Sequence, residues 1–182
     1  MTGARAAAAA VERPQLRRGS EALKRTSLDE IVRLTAAATA AFDAEGLTEV
    51  QREANERVVA MSGPVCAEAC ASPDRHFAAC FVGDRLAGFV VSARHAPDSL
   101  ELDWLMVHPD HHGAGIAALL MEEGMSWLGR DKPLWLSVIR GNGRAIAFYR
   151  KFGFAVDPDT ATGHAIPHWI MRRPAGAPNG SS

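Results

Sequence analysis

The stretch from Leu100 to Leu120 constrains this chain more than any other. Leu100, Leu102, Trp104 and Met106 alternate with Glu101, Asp103, Leu105 and Val107, which reads as a strand whose end is apolar on both faces. His108-Pro109-Asp110 stops it, because proline lacks a backbone donor and restricts the residue before it. From His112-Gly113-Ala114-Gly115-Ile116-Ala117 a helix opens, with Ile116, Leu119, Leu120 and Trp127 among its apolar positions. A turn of small residues feeding a helix N-terminus leaves backbone N–H groups at the positive end of the dipole, a seat for phosphate.

The dinucleotide fingerprint does not fit: Ala118 stands at the third-glycine position and the preceding strand reads as part of an antiparallel meander. A P-loop is excluded, since no Gly-Lys-Ser/Thr follows. Downstream, the strand Leu134–Val138 is followed by Asn142, then by a helical run carrying Ala145, Phe148 and Tyr149, then by Gly153-Phe154. Together the two stretches resemble the GNAT superfamily of N-acetyltransferases, whose acyl-CoA pyrophosphate loop reads Arg/Gln-x-x-Gly-x-Gly/Ala. His112 stands where that family usually has Arg or Gln.

The resemblance implies an α/β (α+β) fold: a mixed, mainly antiparallel central sheet flanked by helices, with strands splayed to admit acyl-CoA. It implies acetyl-CoA as acyl donor and direct transfer, in a ternary complex, to a primary amine of a small molecule or peptide. The Met106–Val107 backbone is then expected to hold the pantetheine, and His112, Gly113, Ala114, Gly115, Ile116 and Ala117 the pyrophosphate. Asn142 is a pantetheine contact by resemblance and a helix N-cap by the physics of Asn before Gly143. A non-catalytic acyl-CoA sensor built on the same pocket is the alternative.

Tyr149 is the single tyrosine, on a helical face with Ala145, Phe148 and Phe152. A phenol of reference pKa about 10 suits protonation of a departing thiolate, and a core aromatic is the competing reading. For the base, Glu101 ranks above Asp103, its neighbour on the same face, with ordered water or a substrate-anchoring role left open. His108, Asp110, His111 and His112 are consecutive loop residues, which rarely converge tetrahedrally, so no metal is assigned. His112 is expected to support phosphate in place of Arg, with a charge that titrates near neutrality. The acceptor opening draws on Asp43, Glu45, Glu49, Asp157, Asp159, His164, His168 and Trp169, whose acids suit a cationic amine.

With 182 residues, 47% apolar content and net charge −1, the chain fits one domain and lacks the basic balance of a nucleic-acid module. Cys66, Cys70 and Cys80 read as free thiols of a reducing compartment, so the expected location is cytoplasmic. No apolar run approaches the ~20 residues of a membrane span. Residues 1–19 and 173–182 are read as disordered tails around a domain at 20–172. Within it, Glu21–Arg25 is expected as a first strand. A capping box at Ser27–Glu30 starts a helix through Ile31, Leu34, Thr35, Ala38 and Phe42. A second helix begins after Thr48, faces inward with Val50, Ala54, Val58 and Met61, and ends at Gly63-Pro64 before a loop over 64–75. His76–Val82 and Leu86–Ala93 form a hairpin, and Ala165–Met171 a last strand after a polar turn at Asp157–Gly163. Exposed sheet edges are compatible with a homodimer.

Overall fold

The computed structural model describes residues 12–43 and 46–177, without the side chains of 41–43. Residues 1–11, Glu45 and 178–182, and the side chains of Phe42 and Asp43, lie outside the described residues. The strands are β1 (Gln15–Arg18), β2 (Arg75–Val82), β3 (Arg85–Ala96), β4 (Ser99–Val107), β5 (Leu134–Ile139), β6 (Ala155–Asp157) and β7 (His168–Arg173). They form one seven-stranded sheet in the order β1-β2-β3-β4-β5-β7-β6. Every neighbouring pair is antiparallel except β4 and β5, which run parallel and share a single registered pair, Glu101 with Trp135. The two strands therefore touch at their beginnings and part towards Val107 and Ile139.

The helices are α1 (Gly19–Leu23), α2 (Leu28–Asp43), α3 (Glu49–Ala71), α4 (Ile116–Leu128) and α5 (Gly143–Lys151). One face of the sheet packs against α4 and α5: Val90, Leu102, Leu136 and Val138 meet Ile116, Leu120, Met125 and Tyr149. The other packs against α1 to α3: Phe77, Phe81, Phe89 and Val91 meet Ala22, Ile31, Leu34, Cys66 and Ala69. Each large apolar side chain so buried contributes about 1.5–3 kcal/mol, before the entropy of ordering it. The start of α4 sits hard against β3 at Gly88, where a Cβ would lie 2.6 Å from the Met106 carbonyl and 2.9 Å from Leu120.

Four local expectations are corrected. Glu21–Arg25 is not a strand; α1 occupies most of it, and β1 lies earlier, within the stretch 1–19 expected to be a tail. β1 is held by pairing Leu16 with Cys80, and by Arg18, whose guanidinium donates twice to Glu123 of α4 at 2.6 Å. At the other end, Arg173 is buried within β7 and donates to the carbonyls of Phe152 and Arg130 (2.9 and 2.7 Å), so order continues into the stretch expected as the second tail.

Second, α3 continues through Gly63-Pro64 to Ala71, absorbing most of the expected loop. Gly63 is the close-approach point with α2, a Cβ there meeting Leu28 main-chain oxygen at 3.0 Å. Third, the inner face of α3 is Asn55, Ser62, Gly63, Cys66 and Ala69. The expected inner residues Val50, Val58 and Met61 are 64, 46 and 56% exposed, because α2 lies so close that only small side chains fit beneath α3.

Fourth, strict alternation along β4 fails at a bulge. Trp104 pairs with Val91 and Leu102 with the next residue, Ser92, which leaves Asp103 as the extra residue. Leu100 and Leu102 consequently face α4, whereas Trp104 and Met106 face the α2–α3 side. The last hairpin also differs in detail, with β6 at Ala155–Asp157 and β7 beginning at His168.

Candidate active site

The link from β4 to α4 is a single turn of 3₁₀ helix, Pro109–His111, followed by two glycines in the left-handed region, Gly113 at φ 83° and Gly115 at φ 77°. Only glycine adopts that conformation without strain, and nothing lies within 4 Å of where a Cβ would stand at either position. Among the described residues, the N–H groups of Gly113, Gly115, Ile116 and Ala117 have no backbone acceptor, and no side chain caps α4. Four N–H groups without such an acceptor at a helix N-terminus suit an anion. A second orphan lies across the gap: Ser137 Oγ on β5 is buried without a hydrogen-bond partner, two residues past the last β4–β5 pair. Leaving such a hydroxyl unsatisfied costs about 1–3 kcal/mol, so the gap suits a ligand with polar atoms.

Among the other residues expected at the donor site, Asn142 Oδ1 accepts from the Ala145 N–H at 3.0 Å, so its carbonyl is the cap of α5 and only its NH₂ is free. Met106 and Val107 form the end of β4 at the open side of the split. His112 departs from expectation. Burial first, and then the Arg144 guanidinium, lower its pKa below the ordinary histidine value, opposing a hydrogen bond with the Val107 main chain. The shift favours the neutral imidazole.

Tyr149 is 9% exposed and packs edge-on against Phe148 and at a tilt against Phe154, with ring centroids 5.6 and 6.4 Å away. Burial pushes its phenol up to about 12. Glu101 lies on the other side of the sheet, beside the point where β4 and β5 still touch. Its Oε2 is 2.6 Å from His95 Nε2, and the His95 ring stacks on Trp135 with centroids 5.9 Å apart. Burial and then the neighbouring Asp103 carboxylate raise the Glu101 pKa, against the opposing hydrogen bond from His95. Burial raises Asp103 as well, against the pull of Arg75, whose Nη1 lies 3.8 Å away. Two carboxylates less acidic than usual therefore share a half-buried cluster with one imidazole and one guanidinium.

His95 and Arg75 were not singled out from the sequence. The hairpin turn at Pro97-Asp98 was the available signal for His95, since folding back across it brings residue 95 opposite the start of β4. Arg75 carried none, because only the three-strand register aligns it with Ala93 and Glu101.

Among the described residues expected at the acceptor opening, Asp157, His168 and Trp169 are engaged within the chain. Asp157 is spent on Thr160 and Arg172 (2.6 and 2.7 Å), which hold its carboxyl down at about 2. His168 is bonded to the Ile166 carbonyl and stacked with His164 at 4.4 Å, and Trp169 lies under the Arg140 guanidinium at 3.9 Å. Where the α2–α3 connection meets the β6–β7 segment, Gln51 Nε2 donates to the Ala165 carbonyl at 3.2 Å. Beside that bridge is a cavity of about 190 Å³ lined mainly by Leu47, Ile139, Ile166 and Pro167, with Arg140 its one charged wall residue.

Among solved structures, the chain is similar to the PaiA N-acetyltransferase of Thermoplasma acidophilum in complex with coenzyme A. The TM-score is 0.70 at 21% identity, covering 89% of this chain and 99% of that one. It is also similar to a putative acetyltransferase of the GNAT family from Desulfovibrio desulfuricans, with TM-score 0.67 at 16% identity over 88 and 98% of the two chains. At such identities these likenesses speak for the fold. In sequence, 75 residues are 35% identical to an uncharacterized N-acetyltransferase of Mycobacterium tuberculosis, a match covering 40% of this chain and 48% of that protein. The match thus spans about half the length of that relative. Residues 34–154 match the family model for GNAT acetyltransferases, which takes in the split strands, the glycine turn and the Asn142-to-Phe154 motif. The chain belongs to the GNAT acetyltransferase family.

Proposed function

We propose that this protein is an N-acetyltransferase that moves an acetyl group from acetyl-CoA directly to an amine of a small molecule or peptide, both substrates being bound together. The observation that carries this reading is the cradle of four free N–H groups at the open end of two parallel strands that part after one pair. A diphosphate on the cradle leaves the rest of the donor alongside β4, where the backbone groups facing β5 beyond Glu101 lack a ladder partner. Met106 and Val107 then hold it by main-chain hydrogen bonds, fixing the acyl group's direction of approach. The donor, when bound, supplies the activated acyl group as a thioester.

The remaining chemistry belongs to side chains of this chain. An amine attacks only when unprotonated, and the raised pKa of Glu101 suits it to take the ammonium proton, directly or through water. Asp103 and His95 position and tune that carboxylate. On the far side of the sheet, Tyr149 Oη is the proton source for the leaving sulfur. With its pKa at about 12, transfer to a thiolate of reference pKa ~8.5 is uphill by roughly 5 kcal/mol before the ligand's own charge is counted. The phenol therefore stays protonated until negative charge develops beside it. The apolar cavity at Ile139 and Pro167 suits the body of the acceptor, with Arg140 at its wall.

Release of CoA thiol from acetyl-CoA, measured against amines, peptides and aminoglycosides with donor binding followed in parallel, tests the reading. Turnover on one class supports it. Tight donor binding without turnover across the panel replaces it with the acyl-CoA sensor, and no donor binding removes both.

A further inference from the structure

The pyrophosphate loop of this chain lacks the side-chain cation that its family usually carries at position 112, and the structure has a guanidinium beside the gap. Arg144, the second residue of α5, donates from Nη1 to His112 Nδ1 at 2.8 Å. To accept that bond, Nδ1 must carry no proton, so the imidazole is neutral and its other nitrogen holds the hydrogen. The ring is steadied by the main chain of Val107. Arg144 makes no ion pair with a carboxylate among the described residues, so most of its donors are free for an anion. The loop carboxylate Asp110 lies 3.8 Å from Arg85 and 3.6 Å from His108.

The contact also ties α5 to the loop that leads into α4. The N-terminus of α4 carries the four free N–H groups, and the N-terminus of α5 carries Arg144. The hydrogen bond runs from the first turn of α5 to the loop that leads into α4, and it brings one full charge to that loop. His112 supplies no charge. Its role is to hold a charge borrowed from an element 32 residues downstream.

We infer that Arg144 is the pyrophosphate-binding cation of this enzyme and His112 its positioning residue, the charge having moved from the loop to the next helix. A cation held by a neutral imidazole is always charged, whereas a histidine in its place would lose charge above neutrality. The loop thereby keeps a permanent positive group without an arginine of its own. The inference rests on the donor reading above and is independent of the acceptor.

The test is direct binding, by calorimetry at fixed ionic strength, of CoA, dephospho-CoA (no ribose 3′-phosphate) and pantetheine (no phosphate). Arg144→Ala is expected to weaken CoA and dephospho-CoA equally, by about 10–100-fold, and to leave pantetheine unchanged. Adding His112→Arg to Arg144→Ala is expected to restore most of the lost affinity, a rescue that a merely structural Arg144 would not permit. Arg144 is exposed, so the variants are expected to melt with the wild type. CoA binding unaffected by Arg144→Ala overturns the inference. So does a loss that disappears with dephospho-CoA, or a double variant no tighter than the single. If the wild type itself binds no CoA, the donor reading falls, and the inference with it.

Discussion

In the proposed mechanism Tyr149 and Glu101 divide the proton work across the two faces of the sheet, and each makes a separable expectation. Tyr149→Phe removes a hydroxyl that has no hydrogen-bond partner among the described residues, so the fold should be indifferent to it. Turnover is expected to fall about 10²-fold, with CoA affinity unchanged, in steady-state kinetics run beside binding measurements. Glu101 is governed by its raised pKa: activity should rise with pH through a value above the ordinary carboxylate 4.5, as the base becomes ionised. Glu101→Gln is expected to abolish that acid limb in a pH–rate profile. Because glutamine keeps a partner for His95 and removes the repulsion with Asp103, the melting temperature should stay within about 3 °C. The glycine turn was legible in the sequence, since Gly113 and Gly115 act through their own backbone angles. The His112–Arg144 bond was not, because it joins a loop side chain to one on α5 whose approach only the packed fold defines.

At the scale of elements, the site depends on how close α4 comes to the sheet. Gly88 permits that approach, and the atom a methyl group would strike is main chain, the Met106 carbonyl at 2.6 Å. Gly88→Ala is therefore expected to cost about 1–3 kcal/mol in thermal or denaturant unfolding, and to weaken CoA binding by shifting the end of β4. A fold loss without a binding loss in the folded fraction would separate the two roles. Period-two patterning found β4 but misassigned its faces after Asp103, since a bulge inserts one residue that alternation cannot register. The apolar stripe of α3 failed differently. Val50, Val58 and Met61 have helical spacing, yet α2 approaches along the face of Gly63 and Ser62, and closeness rather than hydrophobicity chose the inner side.

Across the whole molecule, the opening between β4 and β5 is framed by a sheet whose far edge is tied down by charge. β1 is latched to α4 through Glu123, which receives Arg18 twice at 2.6 Å and His76 Nε2 at 2.9 Å. The Arg18 hydrogen bond chiefly depresses the Glu123 pKa, so the stabilisation is present above 4.5 and is lost as pH falls through the lower folded value. Wild type is expected to melt higher than Glu123→Gln at pH 7, with the difference shrinking as pH drops below 4.5 in a series of thermal scans. The sheet and its helices were legible from two ordered motifs, whereas β1 was hidden because Gln15–Arg18 has a single apolar residue, Leu16, and is a strand only by virtue of its neighbours.

The central claim is that the glycine turn and the parted strands hold the acyl donor. Titration of the isotope-labelled protein with acetyl-CoA, followed by the backbone amide resonances of Gly113, Gly115, Ile116 and Ala117, reads it most directly. Saturable shifts at all four, accompanied by Met106 and Val107, are the expected result. Saturation of the protein with these six amides unmoved would contradict it.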